Sequence, residues 1–164
     1  MRNLAIDTDL KLTSNFKQSS IKLLVFEMGN LILALPVLQV QKVVKYNPVH
    51  GSGLSYVNLT HLDNKDVAII DLHQKLFNTS LPRLSKDEGY FIISKNITGE
   101  SLGILVLEPP TLVDVATTQI RLIPDTYRRS DTLKIASHVT VITRENETSK
   151  TVFILDLGSL VADR

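Results

Sequence analysis

Two aspartates are the residues most able to do chemistry here. Asp71 closes the run Val67-Ala68-Ile69-Ile70, and Asp156 closes Val152-Phe153-Ile154-Leu155. Carboxylates at corresponding places of two similar units can share one proton and activate a water. For that they need a tight backbone turn beside each acid and hydroxyls that hold the pair together. Asp156-Leu157-Gly158-Ser159 supplies a glycine and a hydroxyl, whereas Asp71-Leu72-His73-Gln74 supplies neither. The dyad therefore lacks half its parts, and each aspartate reads instead as the N-cap of a short helix. The histidines, His50, His61, His73 and His138, show no His-x-His or His-Glu-x-x-His spacing, so no metal site is expected. Gly-x-Gly-x-x-Gly, Gly-x-Ser-x-Gly and phosphate-loop patterns are missing as well, and no cofactor is expected. These residue types describe a binding module better than an enzyme.

The elements that must position these residues form a loose repeat. IKLLVFEMGNLILALPV is two apolar, β-branched-rich runs around Gly29-Asn30, a two-residue hairpin turn. LQVQKVVKY is either a strand or one helical turn followed by a strand, NPVHGSG is a loop, and LSYVNLTHL is an alternating segment. A turn at Asp63-Asn64-Lys65 leads into VAIIDL, whose four consecutive apolar residues suit a strand covered on both faces, and HQKLF closes the unit. After the polar linker RLSKDEG the order begins again. YFIISKNITGESLGILVLE is hairpin-like, Pro109-Pro110 follows it, and LVDVATTQIRLIP, a loop at 124–130, and LKIASHVTVITRENETSKTVFILDL complete the second round. The charged tip at 144–150 is expected in solvent. Each unit is too small to stand alone, so the two closing strands are expected back to back in a shared interior.

Composition narrows the class. The chain has 164 residues, 43% hydrophobic and 21% charged, with a net charge of +1, which suits an ordinary globular domain and gives nucleic acid no basic surface. It has no cysteine, so disulfides and thiolate chemistry are excluded, and a reducing compartment fits best. The start, MRNLAIDTDLKLTSNFKQSS, has no basic region before an apolar core and shows neither strand nor helix periodicity. A cytoplasmic protein without membrane insertion is expected, with a flexible arm at 1–20 and one domain at 21–164, whose lobes span about 21–80 and about 88–164.

The order of segments resembles the CheW chemotaxis-coupling family. The stretches that carry it are Ala34-Leu35-Pro36-Val37, Val40-Gln41-Lys42-Val43, and His61-Leu62-Asp63-Asn64 before Ala68-Ile69-Ile70-Asp71-Leu72. Gly103-Ile104-Leu105-Val106, Gln119-Ile120-Arg121 and Ile154-Leu155-Asp156-Leu157 complete the set. The resemblance implies an all-β fold of two intertwined, small, five-stranded SH3-like β-barrel lobes with short helices and no catalytic activity. It also implies an adaptor in bacterial chemotaxis-type signal transduction, coupling chemoreceptor cytoplasmic tips to the regulatory domain of a CheA-type histidine kinase. The partner-binding residues it marks are Val40, Lys42, Val43, Asn58, His61, Leu62, Asp63 and Asn64. The alternative is a diverged β-barrel module with another protein or a small molecule as partner. An aspartic-protease-like hydrolase is the reading these residues support least.

Departures from the family pattern cluster in the same place. Lys42 stands where the family carries Glu and Asp63 where it carries Arg, so both charges are reversed. If the two face each other, the ion pair survives with its polarity exchanged. Asn64 replaces Gly at a position Asn tolerates, His61 replaces Asn, Asn58 stands where Gly is common, and Ala68 replaces Pro. A partner selected against the usual charges would meet opposite ones here, which implies a dedicated partner set or a diverged paralogue in another signalling array, such as one controlling surface motility.

Overall fold

The computed structural model describes residues 19–83, 85, 87–95, 98–128, 134–143 and 148–161. Most of the expected arm and most of the charged tip at 144–150 fall outside that set.

The apolar runs form strands. In the first half, β1 (Ser20–Met28) and β2 (Leu31–Pro36) make the hairpin, and a 3-10 turn (Val37–Gln39) leads to β3 (Val40–Lys45). Then come β4 (His50–Leu54), β5 (Val57–Leu62), β6 (Lys65–Ile70) and helix α1 (Leu72–Phe77). The second half follows with β7 (Tyr90–Lys95), β8 (Ser101–Val106), β9 (Thr111–Ala116), a 3-10 turn (Thr117–Gln119) and β10 (Arg121–Leu122). It ends with α2 (Asp125–Arg128), β11 (Ala136–Ile142), β12 (Lys150–Leu155) and α3 (Leu157–Val161). Met28 pairs with Leu31 across the two-residue turn, where Gly29 takes φ +60° and lies against Phe77.

The halves exchange hairpins. One six-stranded sheet has the order β10-β11-β12-β2-β1-β9 and the other β3-β7-β8-β6-β5-β4, so each half lends its hairpin to the other half's sheet. The joints are parallel: β6 lies along β8 with Ile69 opposite Gly103, and β12 lies along β2 with Ile154 opposite Ala34. Each joint sets an isoleucine against a very small residue. Each closing strand is thus edge-paired with the other half's hairpin, and the two lie in different sheets. Ile69, Ile70 and Leu155 still share the larger core, whereas Ile154 belongs to the smaller one.

Both sheets curl into barrels. β3 and β4 stand at opposite ends of their sheet yet are joined by residues 46–49. Six flat strands would put those edges ~24 Å apart, while the link spans at most ~18 Å. β9 and β10 stand in the same relation across residues 117–120. One bent strand broken at such a corner counts as two, which reconciles six strands with the expected five-stranded lobes. Each lent hairpin is buried on both faces. Leu24, Phe26, Met28, Leu33 and Leu35 enter the large core, while Leu23, Val25 and Ala34 point into the small one.

The segment NPVHGSG is not wholly a loop. His50–Leu54 pairs with β5 as an edge strand, with a register shift between Gly51 and Leu54 and with Ser52 Oγ donating to the Val57 carbonyl at 2.5 Å. All five residues of β4 are exposed and two are glycine, so backbone pairing forms it without an apolar pattern. The expected single segment LSYVNLTHL is split at Ser55-Tyr56 for the same reason. LQVQKVVKY takes the second of its two readings, a helical turn followed by a strand.

Candidate functional site

Both aspartates cap helices. The Gln74 and Leu81 amides donate to Asp71 Oδ1 and Oδ2 at 3.0 and 3.4 Å. At Asp156 the Gly158 amide donates to Oδ1 at 3.1 Å and the Ser159 hydroxyl to Oδ2 at 3.0 Å, with Arg128 Nη2 3.4 Å from Oδ2. Their own amides make matching bonds, Asp71 to the Tyr56 carbonyl and Asp156 to that of Ile135, both at 2.8 Å. The repeated Ile-x-Asp-Leu phrase is thus a repeated strand-to-helix corner. Among the described residues no cluster of His, Asp or Glu could hold a metal ion.

Charge gathers on the first barrel instead, at the seam where β3 faces β5. The seam begins at a corner: the buried Thr60 hydroxyl donates to the Pro48 carbonyl at 2.9 Å. Asn47 Nδ2 donates to Thr60 Oγ1 at 3.1 Å and to the His61 carbonyl at 3.0 Å. Farther out, a register shift between Val40 and Lys42 bulges β3, and such a bulge re-aims the side chains beside it. On the other side Asp63 and Asn64 form the β5–β6 hairpin turn with φ +50° and +64°, as a two-residue turn requires. Lys42 Nζ and Asp63 Oδ2 meet as an ion pair across the seam, with 41% and 68% of their side chains exposed. The hydrogen bond from Lys42 and its charge hold the Asp63 carboxyl below its ordinary value, opposed in part by burial and helped least by the Lys65 charge.

Of the residues marked by the resemblance, Lys42, Leu62 and Asp63 line one cleft of about 390 Å³. Val40 packs half-buried against the large core, and Val43 is 39% exposed on the same strand. Asn58 sits mid-β5 opposite Gly51 and Ile69, and His61 Nδ1 lies 3.3 Å from Asp66 Oδ1 on the neighbouring strand. Three further polar residues complete the cleft. Lys65 Nζ donates to Ser101 Oγ, which donates to Gln41 Oε1, each at 3.3 Å. Lys65 and Gln41 are sequence neighbours of Asp63 and Lys42, but Ser101 arrives only through hairpin exchange and left no signal. The cleft offers mixed charge and an aliphatic floor of Val67 and Ile93, suited to docking a protein surface.

A family model described as CheW-like domain matches residues 22–164. No curated protein matches the chain. Among solved structures, the scaffolding protein TtCheW from Thermoanaerobacter tengcongensis shares the fold with a TM-score of 0.68 at 17% identity. The match covers 85% of this chain and 86% of that one.

Proposed function

Because this chain belongs to the CheW-like domain family, we propose that it is a non-enzymatic adaptor that couples chemoreceptor tips to the regulatory domain of a CheA-type histidine kinase. The observation that carries this reading is the Lys42–Asp63 ion pair across the first barrel's seam. The two residues that depart from the charges the resemblance implies meet as an ion pair of exchanged polarity. An exposed pair adds little to stability. Its value lies in presenting an ordered charge pattern to a partner, which governs encounter rate and partner choice. Val40, Lys42, Val43, Asn58, His61, Leu62, Asp63 and Asn64 form the docking surface, with Val43 as its exposed aliphatic contact. A partner that fits it carries charges complementary to a lysine on β3 and an aspartate on the hairpin turn. No helix among the described residues is long and apolar enough to cross a membrane, and the protein works as a cytoplasmic component of the array.

The test is a charge swap. Lys42→Glu, Asp63→Arg and the double variant are assayed for binding to a receptor tip fragment and to the kinase regulatory domain, using components encoded with this chain. Each single variant is expected to weaken one of these complexes severalfold. The double variant is expected to shift preference toward a receptor tip that serves a family member of ordinary polarity. Unchanged binding in all three variants, with the fold intact, would sink the assignment of this surface.

A further inference from the structure

The second barrel repeats the first barrel's seam without its lock. Thr140, buried at 2% exposure, donates its hydroxyl to the Gln119 carbonyl at 2.9 Å, as Thr60 donates to the Pro48 carbonyl at 2.9 Å. By strand register, Asp63 corresponds to Thr143 and Lys42 to Thr111. No ion pair joins that pair of positions: Thr143 Oγ1 lies 2.9 Å from Ser149 Oγ, and Asp114, farther along β9, pairs with Lys22 at 3.1 Å. An open wedge of about 690 Å³ lies between β9 and β11, with Val113, Val115 and Ile142 along it.

Two further features point to an occupant. The first is backbone. Among the described residues, β9 is the end strand of its sheet and pairs only with β1, while β11 meets β10 only at Arg121↔Val139 and Leu122↔His138. Among the described residues, the side of β11 at Val141 and Ile142 that faces away from β12 therefore has no strand partner. Unpaired strand edges bind extended chain, with alternate side chains read by what lies beneath. The second is charge. Arg121 lines the wedge, is exposed, and makes no ion pair among the described residues; Lys150 stands exposed on β12 opposite Ile142, and Asp114 is neutralised by Lys22. The wedge thus mixes aliphatic and hydroxyl side chains, with Arg121 as its unpaired charge among the described residues and Asp114 already paired with Lys22. Among the described residues the core beneath it buries Leu23, Val25, Ala34, Val115, Val152 and Ile154, with Val113 and Ile142 partly buried against them.

We propose that the β9–β11 wedge of the second barrel binds an extended segment of a partner protein, with aliphatic residues at alternate positions and a carboxylate that meets Arg121. The segment adds to the free edge of β9 and covers Val113 and Ile142. This site is separate from the Lys42–Asp63 surface and stands whether or not that surface docks a receptor or kinase.

The probe is the capped peptide acetyl-Val-Thr-Val-Asp-Val-Thr-Val-amide, titrated into the full chain and followed by amide NMR shifts and hydrogen exchange. Shifts and slowed exchange are expected at Val113, Val115, Val141 and Ile142, with little change at Lys42 or Asp63. Arg121→Glu is expected to weaken binding at least severalfold, and replacing the peptide's aspartate by lysine restores it. Methylating the peptide's backbone nitrogens abolishes it. Because Arg121 is exposed, the variant keeps its fold. The proposal is overturned by an absence of shifts, by shifts centred on Lys42 and Asp63, by binding that survives N-methylation, or by peptide-independent self-association that protects the same amides.

Discussion

Replacing Gly103 by alanine puts a methyl group at the joint where the halves interlock. Its Cβ would lie 2.5 Å from Ile69 Cδ1 and 3.0 Å from Ile93 Cδ1. Carbon atoms in contact prefer ~3.5 Å or more, so the Ile69 methyl must retreat by about 1 Å. Ile69 is 1% exposed and Ile93 2%, which leaves no open space to retreat into. An off-rotamer isoleucine costs ~0.5–1.5 kcal/mol and overpacking a core ~1–3 kcal/mol, while removing a glycine from the unfolded chain returns up to ~1 kcal/mol. The net expectation for Gly103→Ala is a loss of ~1–2 kcal/mol, read by urea unfolding, or ~2–8 °C in Tm for a chain of this length. Ile69→Val alone should cost ~0.5–1.5 kcal/mol. It also deletes the clashing methyl, so the double variant should be at least ~1 kcal/mol more stable than the sum of the singles. If the effects add to within ~0.5 kcal/mol, or Gly103→Ala stabilises the protein, the parallel β6–β8 joint is packed differently and the interlocked fold is wrong in detail.

Three other outcomes follow from the same contacts. The Asp63 carboxyl should titrate below the ordinary ~3.9; because its folded pKa is depressed, its contribution is present above that value and is lost as pH falls through the folded one. Carbon NMR should show the Asp63 titration moving back toward ~3.9 in Lys42→Met. Asp71→Ala should cost ~1–2 kcal/mol through loss of the α1 cap, and Asp71→Asn, which keeps one acceptor oxygen but turns an NH2 group toward the Gln74 or the Leu81 amide, should fall between Ala and wild type, an order thermal unfolding resolves. Thr60→Val, which removes a buried hydroxyl bonded to both Pro48 and Asn47, should destabilise by ~1–3 kcal/mol. Thr140→Val, which removes the bond to Gln119, should cost less in the same denaturant titration.

Local order was readable from residue types because it depends on neighbours in the chain. Gly29-Asn30 and Asp63-Asn64 announced turns since few residues enter the left-handed region cheaply, and Asp71 announced a cap since its carboxylate reaches amides three residues on. The Lys42–Asp63 pairing came from resemblance, because nothing local links β3 to a turn 21 residues away. β4 was missed because an exposed glycine-containing edge strand has no apolar alternation to display.

The amino-acid order by itself determined the two rounds of hairpin, strands and closing Asp-Leu corner, and the burial of both faces of VAIIDL. Tertiary structure alone decided which strands cover those faces. Apolar runs such as β2 and β8 offer the same unpatterned surface to any neighbour, so partner choice falls to long-range fit. Gly103 lets Ile69 sit close, Ala34 does the same for Ile154, and the hairpins therefore cross between halves. The same long-range geometry leaves one barrel seam locked by charge and the other open.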